Sequence, residues 1–79
     1  MKSISVSKFA DKTIEANQGM NRNDLIGSLQ QSLKAKKNGA TCIICGAPIW
    51  AAGSALTGTN MCFTCTTGEA DDSGDYEIV

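Results

Sequence analysis

Cys42-Ile43-Ile44-Cys45-Gly46 and Cys62-Phe63-Thr64-Cys65 form two Cys-x-x-Cys pairs separated by residues 46–61, and their reading decides the fold. Two cysteines with two residues between them can both face into one tight turn, and a glycine directly after them allows the left-handed conformation that such a turn requires. Gly46 stands in that place. Four thiolates presented by two such turns close a tetrahedral shell around one zinc ion. Cys42, Cys45, Cys62 and Cys65 are therefore expected to be the ligands of one structural zinc ion. The chain has 79 residues, and a domain below roughly 80 residues gains only about 3–5 kcal/mol from its apolar core. Zinc in small finger peptides contributes about 10–16 kcal/mol, so the metal is expected to dominate stability.

Other uses of four cysteines stay open on sequence grounds. Two disulfides need an oxidising compartment, but the opening Met1-Lys2-Ser3-Ile4-Ser5-Val6-Ser7-Lys8 has no uninterrupted apolar run and no secretory cleavage site. The expectation is the cytoplasm, where thiols stay reduced. A redox-active pair of thioredoxin type calls for a βαβ setting that this pattern does not offer. Iron would use the same ligands, although Thr66 follows the second pair where such an iron site would carry a second glycine.

Aromatic residues are few (Phe9, Trp50, Phe63 and Tyr76), which excludes a large buried core. No apolar run approaches the roughly 20 residues needed to cross a bilayer, so a soluble protein is expected. The net charge of −1 hides a strong asymmetry. Lys2, Lys8, Lys12, Arg22, Lys34, Lys36 and Lys37 all precede the first cysteine pair, whereas Glu69, Asp71, Asp72, Asp75 and Glu77 follow the second. Four thiolates on a divalent ion leave an excess of negative charge, which opposes binding of phosphate backbones at that end.

Before the cysteines, Phe9, Ala10 and Ile14 recur at helical spacing up to Gly19, with Ser7 as N-cap. A second helix starts at Asn21, places Asp24 in its first turn and pairs Met20 with Leu25 as a hydrophobic staple. Leu25, Ile26, Leu29 and Leu33 form its apolar face, which either packs on the rest of the chain or docks a partner. Lys36 and Lys37 suit its negative end, and Asn38-Gly39 stops it. Between the cysteine pairs, Ala47–Ala52 reads as a strand, Ser54–Thr57 as a hairpin loop between Gly53 and Gly58, and Thr59–Met61 as the return strand. Ile43, Ile44, Ile49, Trp50, Leu56, Met61 and Phe63 are the candidate mini-core, with Trp50 as a lid on the metal site. Thr66-Thr67-Gly68-Glu69 carries a capping-box pattern that would start a helix. Residues 71–75 read as loop, and Tyr76–Val79 as either an edge strand or a linear motif. The alternation in residues 1–6 fits a frayed strand or a mobile end.

The two cysteine turns with Gly46 resemble the knuckles of the zinc-ribbon and treble-clef superfamilies, whose members serve as nucleic-acid binders, subunit-docking elements and small inhibitors. The chain's size and paired cysteines also resemble the very small cyanobacterial regulators that bind a metabolic enzyme, a PII-type signalling protein or phycobilisome components. The likeness to the zinc-ribbon and treble-clef modules implies a zinc site and not a particular task.

The expected fold is a small α+β metal-stabilised domain, with an N-terminal helical hairpin (1–39), a four-cysteine zinc ribbon (40–68; alternatively a treble clef) and an acidic tail (69–79). Catalysis is not expected. The chain has no histidine, four cysteines leave zinc no open position, and no phosphate loop or nucleophile elbow can be named. The expected function is that of a small cytosolic zinc-binding regulator or adaptor acting by protein–protein contact on a larger metabolic enzyme or complex. It would have no membrane association and no small-molecule substrate. The alternative is a nucleic-acid or transcription-associated factor using Arg22, Lys34, Lys36 and Lys37.

Overall fold

The computed structural model describes residues 1–71 and 73–79; Asp72, one of the expected loop acids, lies outside the described residues. The order is β1 (Lys2–Ile4), α1 (Val6–Ala16), α2 (Arg22–Lys37), α3 (Ala51–Thr57), α4 (Phe63–Thr67) and β2 (Tyr76–Ile78). The opening alternation is a strand, and it ends where Ser5 turns the chain into α1. Ser5, rather than Ser7, caps that helix by accepting the Lys8 N–H at 3.2 Å. Both serines have the chemistry of a cap. The end of β1 at Ile4 decides between them, because the extended backbone of Ser5 joins strand to helix without a break.

The second helix follows its sequence signals closely. Asn21 Oδ1 accepts the N–H groups of Asn23 and Asp24, and the helix gives way at Asn38-Gly39, where Gly39 adopts a positive φ. Met20 stays exposed while Leu25 is buried. Leu25 and Leu29 are buried and Ile26 and Leu33 pack beside them, so this face is used within the chain. Arg22 donates to Asp11 at 2.8 Å and to Ser7 at 2.9 Å, which ties α1 to α2.

The hairpin expected between the cysteine pairs is not formed. Extended pairing there is limited to one antiparallel bridge between Thr41 and Pro48, and Ala51–Thr57 is helical. Alanine and leucine are the strongest helix formers, and Gly58 ends the helix in the left-handed conformation. Ala51, Ala52, Gly53 and Ser54 are all buried, and their small size lets α3 lie close against α2. The ribbon is thus corrected in its central feature. A short helix begins within the second cysteine pair and includes Cys65, and Thr66 does not start it. Cys62 is the N-cap and Gly68 is the left-handed stop, so the capping-box pattern falls at the wrong end.

β1 and β2 pair in parallel, Lys2 with Tyr76, Ser3 with Glu77 and Ile4 with Ile78. The last strand therefore joins the first, where a place on the edge of a ribbon was expected. Ile4, Ala10, Leu25, Leu29, Ala51, Ala52 and Ile78 form the core, which draws on residues before, between and after the cysteine pairs. The expected mini-core is only partly realised. Ile49 and Phe63 are buried and Trp50 and Met61 half-buried, but Ile43, Ile44 and Leu56 face solvent. Among the described residues, no helix is long and apolar enough to cross a membrane.

Candidate metal centre

The first cysteine turn is held by backbone hydrogen bonds. Cys42 N–H donates to Ala47 O at 2.7 Å and Gly46 N–H to Cys42 O at 3.0 Å, with Gly46 at φ +76° as its position requires. In the second turn the Cys62 sulfur accepts the N–H of Cys65 at 3.4 Å, while Thr66 bonds Cys62 O through both its N–H and its hydroxyl. Three contacts bring the turns together. Ile43 N–H donates to Asn60 O, Trp50 N–H donates to Met61 O, and the buried Ser54 hydroxyl donates to Met61 O while accepting the Met61 N–H. Helix α3 therefore positions the approach to Cys62, a role that the alanine-rich stretch did not suggest.

The ligand atoms of Cys42, Cys45, Cys62 and Cys65 all lie within 4.8 Å of one another, and Cys45 and Cys62 are 3.4 Å apart. A tetrahedron with metal–sulfur bonds of about 2.3 Å has edges of about 3.8 Å, so the four sulfurs fit one ion. All four are free thiols, with Cys42 and Cys62 buried, Cys65 half-buried and Cys45 exposed.

The electrostatics favour the same conclusion. The N–H of Cys45, assisted by those of Cys62 and Ile44, pulls the Cys42 thiol down to about 6. Cys62 is lowered chiefly by the N–H of Cys65. Cys45 gains from the N–H of Ala47, but its thiol contacts with Cys62 and Cys42 outweigh this and raise it. Cys65 is pushed up to about 12 by sharing its proton with Cys62 and Cys42. Two sulfurs thus favour the anion and two hold their protons, because four adjacent negative charges cannot coexist without a cation among them. A metal ion held among the four sulfurs would supply that cation.

Around the centre, Trp50 lines a pocket together with Cys62 and Phe63, and its specific contacts run to the last strand and to the helix that carries Phe63. Its Nε1 donates to Tyr76 O at 2.8 Å, and its ring meets Phe63 edge-on at 4.9 Å between centroids and lies over Gly53. It braces β2 against α3. Glu77, read from sequence as part of an exposed acidic tail, accepts the N–H groups of Ala51 and Ala52 at 2.9 and 3.0 Å and pairs with Lys36 at 2.7 Å. It caps α3, which has no side-chain cap of its own. Of the four cations considered for nucleic acid, Arg22 and Lys36 are thereby engaged within the chain, leaving Lys34 and Lys37 exposed on α2.

Comparison with protein-family models, curated proteins and solved structures returned no match. What the fold and the site define is a small α+β protein whose four-cysteine cluster can hold a metal ion.

Proposed function

We propose that Cys42, Cys45, Cys62 and Cys65 bind one zinc ion, and that the protein is a non-catalytic cytosolic regulator or adaptor that acts by contact with a larger protein. The observation that carries the reading is the convergence of four sulfurs in one shell. An all-thiolate set suits zinc, and four ligands leave no position for water or substrate. A structural ion then holds two turns whose side chains other than the cysteines are uncharged and which carry two exposed isoleucines, a composition suited to binding.

Metal analysis of the purified protein should give one zinc per chain, a colourless solution and four thiols protected from alkylation until a chelator is added. A red iron-loaded protein, or one with disulfides and no metal, refutes the zinc reading. Affinity purification from the native host should recover a protein partner with the wild type and lose it with Cys42→Ser/Cys45→Ser. Equal recovery by both would move the contact to residues 1–39 and away from the metal centre.

A further inference from the structure

We propose that Ile43 and Ile44, at the tip of the first cysteine turn, dock a cationic protein segment bearing aliphatic side chains. The inference rests on the zinc reading above, because the charge that selects the partner belongs to the loaded centre. Ile43 is 69% and Ile44 66% exposed. Two adjacent β-branched aliphatic side chains at that exposure add nothing to the core, and large apolar groups held together at a surface mark contact sites.

The tip is also rigid. Cys42 N–H is bonded to Ala47 O, Ile43 N–H to Asn60 O, Ile44 N–H to the Cys42 sulfur and Gly46 N–H to Cys42 O. With the Cys45 N–H also directed at the Cys42 sulfur, every backbone donor from Cys42 to Gly46 is engaged, so binding through the turn costs little ordering entropy.

Charge complementarity chooses the occupant. From Ala40 to Gly68 the sequence contains no charged side chain, and Lys36 and Glu77, which line a pocket with Cys62 and Phe63, are paired with each other at 2.7 Å, so the excess charge beside the tip is that of the loaded centre. Four thiolates around a divalent ion are doubly negative, and Cys45 within the same turn is exposed. A partner complementary to this surface presents lysine or arginine beside leucine, isoleucine or valine. The same field repels nucleic-acid phosphates and anionic lipid headgroups. A second copy is disfavoured because a two-fold contact through the tip would bring two negative centres face to face.

The test is selection of a phage-displayed library of random 16-residue peptides on the zinc-loaded full-length protein. Calorimetry of the recovered peptides then compares wild type with Ile43→Ser/Ile44→Ser, and zinc content and Trp50 emission are recorded for both. Recovered sequences should interleave Lys or Arg with Leu, Ile or Val, bind the double variant at least tenfold more weakly, and weaken as salt rises. Acidic or uncharged winners, equal binding by the variant, or no enrichment at all overturns the proposal. So does tip-dependent sedimentation with phosphatidylserine vesicles, which assigns the tip to lipid, or tip-dependent self-association, which assigns it to a second copy. A wild type without zinc defeats the underlying reading; a one-to-one zinc protein whose tip variant binds peptides as tightly as the wild type defeats only the docking.

Discussion

Replacing Glu77 by alanine removes one carboxylate from four donors at once: the N–H groups of Ala51, Ala52 and Ile78, and the Lys36 ammonium. Ala51 and Ala52 are completely buried, so water cannot take over as acceptor without opening the first turn of α3. A lost helix cap costs about 0.5–2 kcal/mol, and a buried N–H left without a partner about 1–3 kcal/mol. The Lys36 side chain is 34% exposed, so its ion pair adds less than about 1 kcal/mol after solvent screening. The expected loss is about 3–5 kcal/mol for Glu77→Ala, and about 1–2 kcal/mol for Glu77→Gln, which keeps one acceptor oxygen. That loss matches the whole contribution expected from the core of so small a domain. Because α3 and the segment leading to Cys62 share the Trp50–Met61 and Ser54–Met61 hydrogen bonds, zinc affinity should fall with it. Denaturant titration at fixed free zinc, followed by Trp50 emission and helix content, measures the change for wild type and both variants. A Glu77→Ala midpoint equivalent to less than about 0.5 kcal/mol of destabilisation would refute the capping role.

Two further perturbations test the surroundings of the centre. A Cβ at Gly53 would stand 2.6 Å from Trp50 Cζ3 and closer still to Cε3. Gly53→Ala should therefore cost about 1–3 kcal/mol through displacement of the indole, outweighing a helix-propensity gain of at most about 1 kcal/mol, with a shift in Trp50 emission. A stabilised variant with unchanged fluorescence would show that the indole does not rest on this glycine. For the metal-free protein, Cys42 ionises near 6 against an ordinary value of 9.0. Its contribution to stability is complete above pH 9 and is lost as pH falls toward 6. Cys65, pushed up to about 12, contributes below pH 9 and loses that contribution as pH rises toward 12. Melting of the chelated protein should thus drop between pH 9 and 6, and the drop should shrink in Cys42→Ser; an identical pH dependence in both would refute the assignment.

The reach of local reasoning differs from element to element for identifiable reasons. Helix α2 was legible because Asn21, Asp24 and Asn38-Gly39 act on their own backbone within a few residues. The cysteine turn was legible for the same reason, with Gly46 in the left-handed conformation that its position demands. Helix α3 escapes local reasoning because Gly53 reads as a turn marker, whereas it sits inside a helix to make room for the Trp50 ring. The available signal was the run Ala51-Ala52 and Ala55-Leu56 closed by Gly58, a helix with its stop. Hydrophobicity alone places Ile43 and Ile44 in a core, yet the turn that buries Cys42 points these two side chains outward.

By itself the sequence determined the two cysteine pairs, the turn around Gly46, the second helix and the asymmetry of charge, because each depends on residue chemistry or on contacts within one or two turns of chain. Only the tertiary structure decided that the first and last strands pair, that Glu77 caps a helix more than twenty residues before it, and that Trp50 faces β2 and Phe63. Those pairings join groups distant along the chain. Their partners are chosen by which buried donors and apolar surfaces remain unsatisfied once the local elements have formed.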